Sequence, residues 1–247
     1  MTANTRLDGK RVALLAADGF EYIEFELPRA ALRLAGAHVD VVSLHGGKIR
    51  GMNLTQPAGA VRVDKTLEEA NVNLYDGLFI TGGFIGPDLL RQSERARSFA
   101  RAFDQAQKPI AALCHGPLVL ISAELVAGRH LAAWPGIRDD VVHAGGIWHD
   151  EPLVTDRNWI SSRGPQDLPR FISAMIELFA TGNVRSLEAN NGNGEDTSRR
   201  SMESSPKPER PSGFVVTAAR LLPGPTVRTM LLGALGGAAA VAIARRV

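Results

Sequence analysis

The sequence predicts an α/β fold with a mostly parallel central sheet, and three observations carry that expectation. From Arg11 onward, apolar and β-branched runs alternate with segments of helical length. The runs are short and nearly continuous in apolar character, as strands buried on both faces are. One of them, KPIAAL, passes directly into Cys114, His115, Gly116 and Pro117 and then into an apolar stretch, the order of a strand, a sharp turn and a helix.

Taken in order, RVALLA is a strand, ADGFE a polar turn, YIEFELPRAALRLAG a helix and HVDVVSL the next strand, which makes a β-α-β beginning. YDGLFITGG reads as a further strand, GPDLLRQSERARSFARAFDQAQ as one capped, charged helix, KPIAAL as a buried strand and CHGPLVLISAELVAG as a helix. Residues 130–160 are richer in Gly, Trp and short β runs (VVHAGGIW, EPLVT, NWISSR) and predict extra strands or hairpins. DLPRFISAMIELFA then closes the body with helical periodicity.

The expected organisation is an N-terminal tail over 1–9, an α/β domain over 10–180, a disordered linker over 181–212 and an apolar tail over 213–247. The linker is dense in Gly, Asn, Ser, Pro and charge and has almost no large apolar residues. Within the tail, residues 230–244 are uncharged and precede Arg245 and Arg246. Fifteen residues fall short of the roughly 20 that span a bilayer as a helix. Membrane contact through 230–244, with Gly233 and Gly237 as a GxxxG pair, and docking on a partner both stay open.

Of 247 residues, 45% are hydrophobic and 22% charged, and 28 Lys and Arg against 26 Asp and Glu leave a formal charge of +2. That balance lacks the basic field that nucleic-acid backbones demand, so no specific nucleic-acid binding is expected. The lone Cys114 excludes an intramolecular disulfide and a cysteine-rich zinc site and fits a reducing compartment. Met1 to Lys10 has no apolar stretch of signal-peptide type, and the body is expected to be cytoplasmic.

The chemistry centres on Cys114. A strand-to-helix turn exposes a side chain at the carboxyl edge of the sheet, where ligands of open α/β sheets bind, and a helix N-terminus there should favour thiolate. Gly116 allows close approach, and Pro117 suits a first helical turn. Gly82 and Gly83 end a neighbouring predicted strand and can offer N–H groups to an oxyanion. A third strand end carries Asp18 to Glu24, whose carboxylates reach Cys114 if the strands lie side by side. Against this stands a small buried cysteine with no chemical role.

At these residues the chain resembles the PfpI-type intracellular protease and deglycase family, of the class I glutamine amidotransferase-like superfamily. ADGFEYIE, TGG followed by GPDLLR, AALCHGP, WPGIRDD and NWISSRGPQDLP stand in the family's order and spacing over roughly residues 10–180. The resemblance implies a flavodoxin-like three-layer sandwich with a nucleophile elbow. It further implies Cys114 as nucleophile, His115 as its partner and Glu24 as a carboxyl hydrogen-bonded to the sulfur. Gly82, Gly83 and the His115 N–H would form the oxyanion hole, and Glu21 and Trp134 would line the substrate site.

The resemblance also implies a catalytic role for Asp88, which stands where the family has a glutamate contributed from a neighbouring subunit to orient the histidine; Trp134 stands where some relatives have a histidine, and Thr81 where a proline is usual before the glycines. The implied activity is a cofactor-independent cysteine hydrolase, metal-free and homo-oligomeric. Its substrates would be small dicarbonyls or their adducts with proteins and small molecules, with peptidase activity possible and a role in stress protection. The alternative is a non-enzymatic redox sensor or chaperone using an oxidisable Cys114. His149-Asp150-Glu151 imitates an amidotransferase triad, but the resemblance assigns it no catalytic place. The other histidines lack metal-ligand spacing.

Overall fold

The computed structural model describes residues 6–182 and 202–209. The expected tail over 213–247, with its candidate membrane contact at 230–244, lies outside the described residues. Among those described, no helix is long and apolar enough to cross a membrane.

In chain order the strands are β1 (Arg11–Leu15), β2 (Phe20–Glu21), β3 (His38–Ser43), β4 (Lys48–Asn53), β5 (Gln56–Arg62), β6 (Lys65–Thr66), β7 (Gly77–Ile80), β8 (Ile110–Leu113), β9 (His130–Leu131), β10 (Ile147–Trp148), β11 (Val154–Asp156) and β12 (Trp159–Ser162). The helices are α1 (Tyr22–Leu34), α2 (Gly86–Gln92), α3 (Glu94–Gln105), α4 (Pro117–Ser122), α5 (Arg138–His143) and α6 (Leu168–Thr181). The main sheet runs β11-β12-β8-β7-β1-β3-β6 and is parallel except for β11, which pairs antiparallel with β12. Its five inner parallel strands follow the flavodoxin-like order, stepping from β1 outward in both directions.

Side-chain alternation along β1 explains the three layers. Val12 and Leu14 join a core with Phe25 and Leu32 of α1 and Phe171 and Leu178 of α6. Ala13 and Leu15 point the other way, into a core with Leu90 of α2, Phe99 and Phe103 of α3 and Val119 of α4. The sheet is thus apolar on both faces, as its continuous apolar strands require. Gly77 lets Phe179 lie against β7, since a Cβ there would stand 2.7 Å from the ring.

Three local expectations are corrected. The single helix expected over GPDLLRQSERARSFARAFDQAQ is two, broken at Ser93, whose backbone is extended (ψ 120°) and whose Oγ accepts from the Ala96 N–H at 3.4 Å. A serine that caps the following helix interrupts the first. The helix expected after Cys114 is only α4, because Glu124 turns left-handed at φ 62°. Residues 141–143, expected in the short β run VVHAGGIW, belong instead to α5, which starts at Arg138.

A fourth departure lies in the stretch expected as a disordered linker. Residues 202–209 lie along β10, half-burying Ser204 and Ser205. Backbone and hydroxyl groups of a serine pair satisfy an open strand edge, which composition alone does not register. The rest of that stretch is outside the described residues apart from Thr181 and Gly182, which end α6.

Candidate active site

Because β1, β7 and β8 are neighbours in one parallel sheet, the loops after them meet at a single edge. The first delivers Glu21 and Glu24, the second Gly82 and Gly83, the third Cys114 and His115. Cys114 sits at φ 59°, in the left-handed region that a non-glycine residue rarely occupies. Its N–H donates to the Ser162 carbonyl at 3.0 Å, and its carbonyl accepts from the Trp134 N–H at 2.9 Å. Two backbone bonds hold the strained turn. Gly116 is required beneath it, since a Cβ would come within 2.7 Å of the Ile80 carbonyl and 2.9 Å of the Leu113 carbonyl.

The sulfur is 3.3 Å from Nδ1 of His115, and both residues are buried. Burial holds the imidazole down at about 4, opposed by the charge of Asp140, so at neutral pH His115 is an uncharged base. Burial also pushes the Cys114 thiol well above its usual value, reinforced by Glu24 and opposed by the N–H groups of Gly83 and His115 directed at the sulfur. The expectation that the helix start would favour thiolate is therefore corrected. Desolvation outweighs the N–H groups, and the resting group is a thiol.

Glu24 is fully buried, and neither carboxyl oxygen has a nitrogen or oxygen partner among the described residues. Burial raises its carboxyl to about 8; interaction with the Cys114 thiol opposes this and the charge of Glu21 adds to it. Glu24 is thus a neutral acid at pH 7, able to donate to sulfur. Gly82 makes the pair possible, because a Cβ there would collide with Glu24 Oε2 and lie 2.6 Å from Cys114 Cβ. The Gly82 carbonyl accepts from the Glu21 N–H at 3.1 Å, so its part is space and anchorage, while Gly83 and His115 supply the N–H groups.

The other expected residues divide. Trp134 is half-buried and stacks on His115 (centroids 5.8 Å apart, planes at 25°), and Phe84 covers it from another side at 4.8 Å. Glu21 Oε2 already accepts from the Leu54 N–H at 2.9 Å, which ties β2 to the β4–β5 hairpin. Asp88 is exposed on α2 and its Oδ2 accepts from Gln92 at 3.0 Å, so within one chain it is not brought to His115. The charge of Asp140 on α5 opposes the effect of burial on the His115 imidazole, while its carboxylate pairs with Arg91 at 3.5 Å.

Asp140 and Phe84 were not singled out in the sequence as site residues. Asp140 lay in a charged run without distinguishing spacing, and only the fold of α5 beside the elbow reveals it. His149 pairs with His130 instead, Nε2 and Nδ1 being 2.8 Å apart with rings stacked at 17°, which takes it out of the Cys114 constellation. No cluster that could hold a metal exists among the described residues.

Known proteins resemble this chain over its α/β domain. The family model described as DJ-1/PfpI family matches residues 10–178. A protein of Pyrococcus abyssi named a deglycase is 39% identical over 169 residues, covering 68% of this chain and 99% of that relative. The protein/nucleic acid deglycase 2 of Escherichia coli is 38% identical over 172 residues, covering 69% and 98%. Among solved structures, a two-domain protein of Anabaena variabilis with DJ-1/ThiJ/PfpI-like and ferritin-like domains superposes with a TM-score of 0.64 at 34% identity, covering 68% of this chain but 49% of that one. A strained cysteine beside a neutral histidine and a protonated glutamate, on a flavodoxin-like sheet and with these relatives, makes this chain a member of the DJ-1/PfpI family.

Proposed function

We propose that the protein is a cofactor-independent cysteine hydrolase acting on small dicarbonyls or on their adducts with amines and thiols. The observation that carries this reading is the 3.3 Å contact between a thiol and an uncharged imidazole at a left-handed elbow. His115 Nδ1 takes the thiol proton as the sulfur attacks a carbonyl carbon, forming the S–C bond while the C=O electron pair moves to oxygen. The N–H groups of Gly83 and His115 support that oxyanion, and Glu24 supplies a neutral donor. In a dicarbonyl the hydrogen on that carbon then passes as a proton, by way of an enediol, to the neighbouring carbonyl carbon, leaving a thioester of the 2-hydroxy acid that water hydrolyses to the free acid and the Cys114 thiol; with an adduct, the sulfur displaces the amine or thiol, which leaves carrying a proton. The Phe84 and Trp134 rings both pack on the His115 imidazole, with centroids 4.8 and 5.8 Å away, and cover it with apolar surface. We place this chemistry in the cytosol, where a lone free thiol persists.

Turnover of methylglyoxal, and release of its adduct from an amine, should be present in wild type and absent in Cys114→Ala. Retained turnover in the variant sinks the claim. Peptidase activity, if present, should vanish with the same substitution.

The working form in this proposal is a homo-oligomer. Ile23 and Leu27 on α1, and Phe84, Ile85 and Leu89 at α2, are exposed apolar side chains on the elements that deliver the site, and Asp88 shares their helix. Leu27→Glu with Leu89→Glu should yield a folded monomer of reduced activity if Asp88 acts on a second copy; a fully active monomer retires that role.

One observation favours the redox reading. The protonated Glu24 facing the sulfur would also donate to a sulfinate formed by two successive oxidations of Cys114 by peroxide. Mass spectrometry after mild peroxide treatment decides it: absence of a stable sulfinate at Cys114 counts against sensing.

A further inference from the structure

Residues 202–209 lie beyond the family domain, whose match ends at residue 178. The 169 matched residues already account for 99% of the Pyrococcus abyssi relative, so this segment is an addition to that domain. It nevertheless belongs to the same compact unit as the body. The Ser205 N–H donates to the Trp148 carbonyl at 2.8 Å, the Trp148 N–H donates to Ser204 Oγ at 3.0 Å and the Asp150 N–H donates to Ser205 Oγ at 3.1 Å. The segment thus occupies the edge of β10 opposite β9, in the manner of an added strand whose hydroxyls replace part of the ladder. Arg138 Nε donates to the Ser205 carbonyl at 2.9 Å, and Lys207 pairs with Asp139, which ties the same segment to the start of α5.

Each anchor leads to the wall of the Cys114 pocket. The Trp148 indole donates to the Ala133 carbonyl at 3.2 Å, and Ala133 precedes Trp134, the ring stacked on His115. Arg138 and Asp139 begin α5, which directly follows the turn in which the Ile137 N–H donates to the Trp134 carbonyl at 3.0 Å. Asp150 accepts from Arg163 at 2.8 Å, and the following Gly164 backs the Trp134 ring, 3.4 Å from where its Cβ would lie. The serine pair is therefore fastened to three elements that meet at Trp134 and His115.

We propose that Ser204 and Ser205 are positioning residues: docked on the edge of β10, they hold the Trp134 and α5 wall against His115 and so set how substrate enters the Cys114 pocket. Two short strands, β9 and β10, make a weak sheet on their own. The docked extension stiffens it without entering the chemistry. Only the kinetic arm of the test rests on the hydrolase reading.

The test uses the full chain with Ser204→Ala plus Ser205→Ala, and with both serines changed to Thr as the conservative control. Amide exchange at Trp148 and Asp150 should rise about tenfold or more in the alanine variant while β8 amides stay as protected as in wild type. Alkylation of Cys114 by iodoacetamide should change several-fold, and KM for methylglyoxal should rise several-fold with kcat nearly constant. The threonine variant should restore all three. Unchanged exchange at Trp148 and Asp150 would overturn the docking. Raised exchange with unaltered alkylation and unaltered KM would overturn the positioning role. If wild type turns over no carbonyl while exchange and alkylation respond as stated, the positioning stands and the hydrolase reading fails.

Discussion

Replacing Glu24 by Gln isolates the most strongly perturbed carboxyl of the site. The folded group titrates at about 8 because it is desolvated beside Cys114, against 4.5 for an ordinary glutamate. Below 4.5 the carboxyl is neutral whether folded or unfolded and contributes no pH dependence. As pH rises from 4.5 to 8 the unfolded chain releases this proton while the folded chain retains it, so wild type loses stability across that window; above 8 the loss levels off. The separation corresponds to up to about 5 kcal/mol. Gln keeps the shape and has no such titration. Urea denaturation at intervals from pH 4.5 to 8.5 should therefore show wild type falling relative to Glu24→Gln by several kcal/mol. Two stability curves that run parallel over this range would refute the assignment of Glu24 as a buried neutral acid.

The same groups shape activity and packing elsewhere. Cys114-dependent kcat/KM should be flat between about pH 4 and about pH 8, falling below as His115 gains a proton and above as Glu24 loses one; Glu24→Gln should lose the alkaline fall, and a profile unaltered by that change contradicts the reading. Gly82→Ala forces a methyl against Glu24 and Cys114, so thermal denaturation should report a loss of about 1–3 kcal/mol together with altered Cys114 alkylation; a variant with wild-type stability and reactivity would exclude this packing. Ser93→Ala removes the cap of α3 and should cost about 0.5–1 kcal/mol in urea denaturation, with Cys114 reactivity unchanged.

Much of the site was legible one element at a time. Cys114 and His115 follow an apolar strand, and Gly82 and Gly83 end another, so strand-end placement located them before any contact was known. What stayed hidden depended on neighbours far along the chain. Asp140 reads as one acid in a charged run, Phe84 as an exposed residue of a turn, and Ser204 and Ser205 as members of a polar linker; each acquires its place only when α5, α2 and β10 are brought beside Cys114 or its wall. The protonation of the site was misread for the same reason. A helix start visible in sequence argues for thiolate, whereas the burial that outweighs it is a property of the packed layers.

The sequence by itself determined the strands β1, β3, β7 and β8 with α1 and α6, the buried character of the sheet, the elbow and the family, because periodicity, apolar runs and Gly or Pro punctuation are local. The tertiary structure alone decided that Glu24 and the thiol rest uncharged and that the serines beyond the domain close the edge of β10. Those outcomes depend on desolvation and on hydrogen bonds between residues distant in sequence, and neither exists until the layers have closed.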